Sequence, residues 1–182
     1  MRVEVLPIRK IDAEDVVTIN HFRLQEFGIH TSINQNNTKE EQNSLFFLLK
    51  DDDRTLLAFA LLEELPLRFH TESLLVLCVS TVIATQRGNN YGIQVLMKVQ
   101  QYAKEKGRTV LGFCETDLIP FYQKCGFDIL SNEDNQFMYC DESGKILPHI
   151  VPGEVFYLDG HDKVIESILS SSDKRVLVSR RR

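Results

Sequence analysis

The run Val82-Ile83-Ala84-Thr85-Gln86-Arg87-Gly88-Asn89-Asn90-Tyr91-Gly92 leads a hydrophobic stretch into an amphipathic one through a turn of small and amide residues. A chain that does this ends a strand and starts a helix within about six residues, which commits this part of it to an α/β arrangement. Backbone N–H groups at a helix start have no intrahelical partners and lie at the positive end of its dipole, so a turn with little side-chain bulk lets a pyrophosphate approach them. The same residues also make sense as a plain strand-to-helix turn with Gly88 supplying a positive φ. On its own the junction leaves both readings open.

Upstream of the turn, residues 74–83 are nearly continuously hydrophobic, which predicts a central strand covered on both faces. Downstream, Ile93, Leu96, Met97, Val99 and Ala103 give residues 90–106 an apolar helical face, and Lys104, Lys106 and Gly107 follow as stop signals. Residues 109–113 predict another buried strand, so the strand-helix-strand unit should cross over right-handed with its strands parallel. Thr116 or Asp117 then caps a short helix that has Pro120 in its first turn and Gly126 at its end. Tyr122 sits on this helix, beyond the carboxyl end of the preceding strand, where ligands of open α/β sheets gather.

Elsewhere, residues 3–8 predict a short strand, and Asp12 a cap for a helix carrying Val16, Ile19, Phe22 and Phe27. The polar stretch 31–43 reads as a loop or short helix, fit either for substrate recognition or for a plain connection. Residues 45–50 and 55–63 flank Asp51-Asp52-Asp53 as a hairpin, with the triple acid solvated at its turn. Residues 137–140 and 155–158 predict strands, the second closing the sheet, and 161–169 a last helix. Arg180, Arg181 and Arg182 end a serine-rich stretch that reads as a frayed terminus.

At 182 residues and 43% hydrophobic content the chain suits one substantial core. No apolar run approaches the roughly 20 residues of a membrane span, and the first residues lack a signal-peptide core, so a cytoplasmic protein without membrane contact is expected. Cys78, Cys114, Cys125 and Cys140 show no Cys-x-x-Cys spacing and the five histidines no ligand-spaced pair, which predicts neither a metal site nor disulfides. The formal charge of −5 argues against nucleic-acid binding and suits a cationic substrate.

A second segment, Phe121-Tyr122-Gln123-Lys124-Cys125-Gly126-Phe127, resembles the Phe-Tyr-x-Lys-x-Gly-Phe signature of the GNAT superfamily of N-acetyltransferases, and Arg87 to Gly92 resembles its pyrophosphate turn, Arg/Gln-x-x-Gly-x-Gly/Ala. Where that turn normally carries glycine this chain has Asn90, the non-glycine residue that best tolerates left-handed backbone. The resemblance implies a GNAT-like α/β fold: a central mixed, mostly antiparallel twisted sheet of about six to seven strands, helices on both faces and a parallel strand-helix-strand cofactor half. It implies a single N-acetyltransferase domain over 1–160, followed by a C-terminal helix and basic tail over 161–182. Phe113-Cys114-Glu115 and Gly153-Glu154-Val155-Phe156-Tyr157-Leu158 are most similar to the aminoglycoside 2′-N-acetyltransferase-like branch.

The chemistry so implied is attack of an amine on the thioester of acetyl-CoA. By the resemblance, Val82 and Ile83 pair with the pantetheine arm, and Arg87, Gly88, Asn89, Asn90, Tyr91 and Gly92 hold the pyrophosphate. Tyr122 takes the place of the general acid that meets the departing thiolate. Glu63, Glu64, His70, Glu72 and Glu115 lie near predicted strand ends, and of these Glu64 and Glu115 are the candidates for the general base. A small-molecule amine, cationic by charge balance, is the expected acceptor, and a homodimer is left open. The alternative is a catalytically silent acyl-CoA-binding sensor or an interaction domain of the same fold.

Overall fold

A computed structural model describes residues 1–28, 33, 44–132, 136–141, 143–151 and 153–179. The polar stretch 31–43 lies outside them except for Ile33, as do the three terminal arginines. Contacts divide the chain into two compact units, residues 1–63 with 80–99 and residues 64–79 with 100–182.

In the first unit, β1 (Arg2–Pro7) pairs antiparallel with β2 (Leu45–Lys50), which pairs antiparallel with the first half of β3 (Leu56–Phe69). β2 is the inner strand of the three and is correspondingly apolar, with Phe46, Phe47 and Leu48 fully buried. Asp51, Asp52 and Asp53 lie in the β2–β3 turn as expected, and the Asp51 carboxylate accepts from the Thr55 amide at 2.8 Å. Helix α1 (Ala13–Phe27) contributes Ile19 to a core with Phe46, Leu48, Phe59 and Ile83. Asp12 stands at its N-cap without a capping bond, because Arg54 Nη2 donates to that carboxylate at 2.9 Å. Phe27, expected on the apolar face, is exposed. The buried Lys50 ammonium at the end of β2 donates to Asp15 of α1.

The second unit, which takes in residues 64–69 of β3 and 72–79 of β4, contains the strand order β6-β9-β5-β4-β3-β10-β7-β8. Here β4 is Glu72–Ala84, β5 Val110–Cys114, β6 Asp128–Leu130, β7 Phe137–Cys140, β8 Ile146–Ile150, β9 Glu154–Leu158 and β10 Val176–Ser179. β4 and β5 pair in parallel through Leu77 and Cys78, as the strand-helix-strand reading requires. Most of the other pairings are antiparallel, so the architecture is the expected mixed, mostly antiparallel one, with ten strands among the described residues where about six to seven were expected. The extra strands are short ones that neighbours hold in place. β10 is the clearest: residues read as a frayed tail pair antiparallel with β3 and parallel with β7, burying Val176 and Val178. β9 therefore does not close the architecture.

Helix α4 (Val164–Leu169) buries Val164, Ile165 and Ile168 against Leu111, Phe137 and Val176. It is capped from a distance, with both Asp159 carboxylate oxygens accepting from the amides of Ile165 and Glu166 at 3.1 and 2.8 Å. Thr109 Oγ1 donates towards Asp159 and Asp162, and its amide reaches Asp162 at 2.9 Å, which ties this corner to the start of β5.

Candidate active site

Two segments carry the features expected of a site, and each belongs to a different unit. The first is the turn between β4 and helix α2 (Tyr91–Lys106). β4 delivers a half-buried Val82 and a buried Ile83, and Thr85 then fastens the strand end: its amide donates to Leu57 O at 2.9 Å and its hydroxyl lies within reach of Leu56 O and Leu57 O. Gly88 follows at φ +88° and Asn90 at φ +58°, two left-handed residues within three positions. Asn90 thus adopts the left-handed backbone that asparagine tolerates best among non-glycine residues. Asn90 O accepts from Gln94 N at 3.2 Å, so Asn90 opens the helix and the amides just after it have no intrahelical acceptor.

Gly88, Asn89 and Asn90 are exposed, and a Cβ on Gly88 would meet no atom within 4 Å. Tyr91 is half-buried and Gly92 buried. Val95, Leu96, Val99 and Ala103 form the buried face of α2, whereas Met97, read as part of it, points to solvent. Arg87 is exposed, and its Nη2 pairs with Glu26 Oε1 of α1 at 2.9 Å.

The second segment is the seat of Tyr122. After β5, a 3-10 turn over Thr116–Leu118 leads into α3 (Ile119–Lys124), with Pro120 in the first turn as predicted. Thr116 and Asp117 do not cap α3; its N-cap position falls at Leu118, because the intervening turn consumes them. Gly126, at φ +88°, ends the helix, with Gly126 N donating to Gln123 O and Phe127 N to Tyr122 O. Gln100 Nε2 donates to Cys125 O at 2.9 Å and holds this end.

Tyr122 is buried to 8% exposure, its ring stacked on Phe156 of β9 at 3.7 Å between centroids and 11° between planes. Phe121 and Phe127 meet it edge-on. Among the described residues its hydroxyl has no hydrogen-bond partner. Burial, with the thiols of Cys114 and Cys125 nearby, pushes the phenol well above its ordinary value of 10.0. Burial likewise pushes Cys114 up to about 11, helped by Glu154 and Asp117, and Cys125 up to about 11 against the opposing charge of Lys124. All four cysteines are buried and none forms a disulfide.

The two base candidates differ. Glu64 lies inside β3 rather than at a strand end, because that strand runs on to Phe69, and Arg108 Nη1 donates to its carboxylate at 2.7 Å. Arg108 Nη2 also donates to Leu75 O, so this pair is part of the strand scaffold. Glu115 is exposed just after β5 and makes no side-chain hydrogen bond among the described residues. Those residues also contain no cluster of His, Cys, Asp or Glu that could hold a metal ion, and no helix long and apolar enough to cross a membrane.

Sequence reasoning missed Phe156 and its partner Gly112. A glycine inside a strand marks a close approach by a neighbour, and this was the available signal.

The model of the acetyltransferase (GNAT) family matches residues 14–127, a span that contains the left-handed turn and the Tyr122 helix. The chain belongs to the GNAT family. As a member it is an acyltransferase that takes acetyl-CoA as acyl donor. No curated protein sequence matches it, but many solved structures share its fold. The GNAT family N-acetyltransferase YhbS of Escherichia coli, solved in complex with CoA, is 14% identical with a TM-score of 0.65, over 99% of this chain and 89% of that one. ElaA of Escherichia coli is 15% identical with a TM-score of 0.56, over 87% and 100%. An acyl-CoA N-acyltransferase from Pseudomonas aeruginosa is 12% identical with a TM-score of 0.53, over 86% and 98%. At these identities the likeness is one of fold.

Proposed function

We propose that this GNAT protein transfers the acetyl group of acetyl-CoA to a primary amine of a small cationic molecule by direct attack in a ternary complex. The observation that supports the reading is the left-handed pair Gly88 and Asn90 at the opening of α2, a backbone that leaves exposed amides for an anion. The amides of residues 88–92 bind the pyrophosphate, and the main chain at Val82 and Ile83 pairs with the pantetheine arm. The formal charge of −5 favours a cationic acceptor, such as a polyamine or an aminoglycoside.

In the reaction the amine nitrogen bonds to the thioester carbon, the carbon–sulfur bond breaks to release the CoA thiolate, and the nitrogen gives its remaining surplus proton to solvent to leave a neutral amide. The ammonium gives up its proton before attack. Glu115, whose carboxylate makes no hydrogen bond among the described residues, is a better acceptor for that proton than Glu64, whose carboxylate Arg108 engages. Tyr122 meets the departing sulfur. A thiol has a pKa of about 8.5, so a phenol raised above its ordinary value cannot hand over its proton downhill. Its O–H is instead a hydrogen-bond donor to the developing thiolate across the whole neutral range.

Calorimetry with acetyl-CoA and desulfo-CoA, followed by thiol release from acetyl-CoA against a panel of polyamines and aminoglycosides, tests the proposal. Both CoA compounds should bind, because the pyrophosphate contacts do not involve sulfur. Absence of binding at millimolar concentration would sink the reading, and binding without transfer to any amine would favour a silent acyl-CoA sensor.

A further inference from the structure

We propose that Gly112 and Phe156 are positioning residues for the Tyr122 hydroxyl: Gly112 leaves the space that the Phe156 ring fills over β5, and that ring fixes the plane of Tyr122. The inference rests on the reading of Tyr122 as the group that meets the CoA sulfur.

Gly112 and Phe156 are directly opposite in the β5–β9 register. A Cβ built on Gly112 would fall 2.1 Å from Cζ of Phe156 and within 2.8 Å of both its ε carbons, so the ring lies across the bare backbone of β5. Gly112 is not among the residues at positive φ, so its lack of a side chain serves space and not backbone conformation. Phe156 is fully buried and stacks on Tyr122, while Phe127 meets both rings edge-on at 5.2 and 6.2 Å. Tyr122 lies on a helix of six residues with no side-chain cap, and its hydroxyl has no protein hydrogen bond among the described residues. Ring packing is therefore what sets its direction. An alanine at 112 would push the Phe156 ring towards Tyr122, and leucine at 156 would remove the flat face against which Tyr122 rests.

The test follows the Tyr122 ring by NMR in the full chain labelled at tyrosine, with Tyr122→Phe identifying its signals, in the presence of CoA or desulfo-CoA. In the wild type the two ligands should shift the Tyr122 ring differently, because only CoA carries the sulfur. Gly112→Ala and Phe156→Leu should lose this difference while CoA affinity stays within about threefold, because the turn that holds the pyrophosphate is untouched. Phe156→Tyr, which keeps the ring, should retain it. If the leucine and alanine variants keep the sulfur-dependent shift, the stack does not position the phenol and the proposal is wrong. If the wild type itself shows no difference between the ligands, it is the assignment of Tyr122 to the sulfur that fails. Should Gly112→Ala not fold, Phe156→Leu, which removes bulk and adds none, carries the test.

Discussion

The turn at 87–92 and the seat of Tyr122 solve opposite problems. The turn is exposed over residues 87–90, its geometry set by two left-handed residues, and its one charged side chain is paired with a neighbouring carboxylate. The Tyr122 seat is buried, built from four aromatic rings, and owes its shape to side-chain volume. A backbone-built anion site should tolerate side-chain changes that leave φ accessible and fail when φ is denied. A packing-built site should respond to single atoms and rings.

The largest expected effect falls on the packed site. Tyr122→Phe keeps the ring and removes a hydroxyl that has no partner among the described residues, so the melting temperature and acetyl-CoA affinity should hardly move. Turnover with the best amine found in the screen should fall by about 100-fold. Wild-type turnover in this variant would reduce Tyr122 to a core residue and erase the contrast between the two regions.

The turn offers the next test. Valine at position 90 is denied the left-handed region by its branched Cβ, at a cost on the order of 1–3 kcal/mol, so Asn90→Val should weaken CoA binding about tenfold. Asn90→Gly should bind as the wild type does. Calorimetry that finds equal affinity for valine and glycine would show that the phosphate is held elsewhere.

Smaller still is the expected effect of Arg87→Ala. Its guanidinium is 85% exposed and shared with Glu26, and such pairs contribute little, so CoA affinity should drop by about fivefold or less. Abolished binding would move the anion site from backbone to side chain and overturn the comparison.

The mildest effect belongs again to the buried site. Cys114 and Cys125 hold their protons up to about 11 when folded, against 9.0 for an ordinary thiol. Between those values the folded protein binds more protons than the unfolded one, so this contribution is intact below about pH 9 and is lost as pH rises towards 11. Melting curves across that window should decline, and more gently for a Cys114→Ala, Cys125→Ala double variant. An equally steep decline in the double variant would locate the alkaline sensitivity elsewhere.

What was legible in the sequence was local. The hydrophobic run of β4, the small residues of the turn, the stop signals of α2 and Pro120 in α3 act through neighbours in the chain, and Asn90 adopts the conformation its side chain best tolerates. The parts that escaped depend on distant residues. Glu64 looked like a free carboxylate until folding brought up Arg108, 44 positions away, and Asp12 looked like a cap until Arg54 claimed it. Met97 fits an apolar helical face by spacing, but the fold leaves it exposed. The four residues of β10 carry too short a pattern to announce a strand, and only β3 and β7 make them one.

Strand β10 also sets an order of events during synthesis. The first unit draws only on residues up to 99, so its three-stranded ladder can close while the rest of the chain is still being made. In the second unit, the Leu67–Phe69 edge of β3 and the edge of β7 both await residues 176–179. At ribosomal speeds of about 5–20 residues per second, β3 stays open on that side for several seconds after it emerges. An unpaired strand edge is a template for unwanted pairing, so this interval is when the nascent protein most needs shielding.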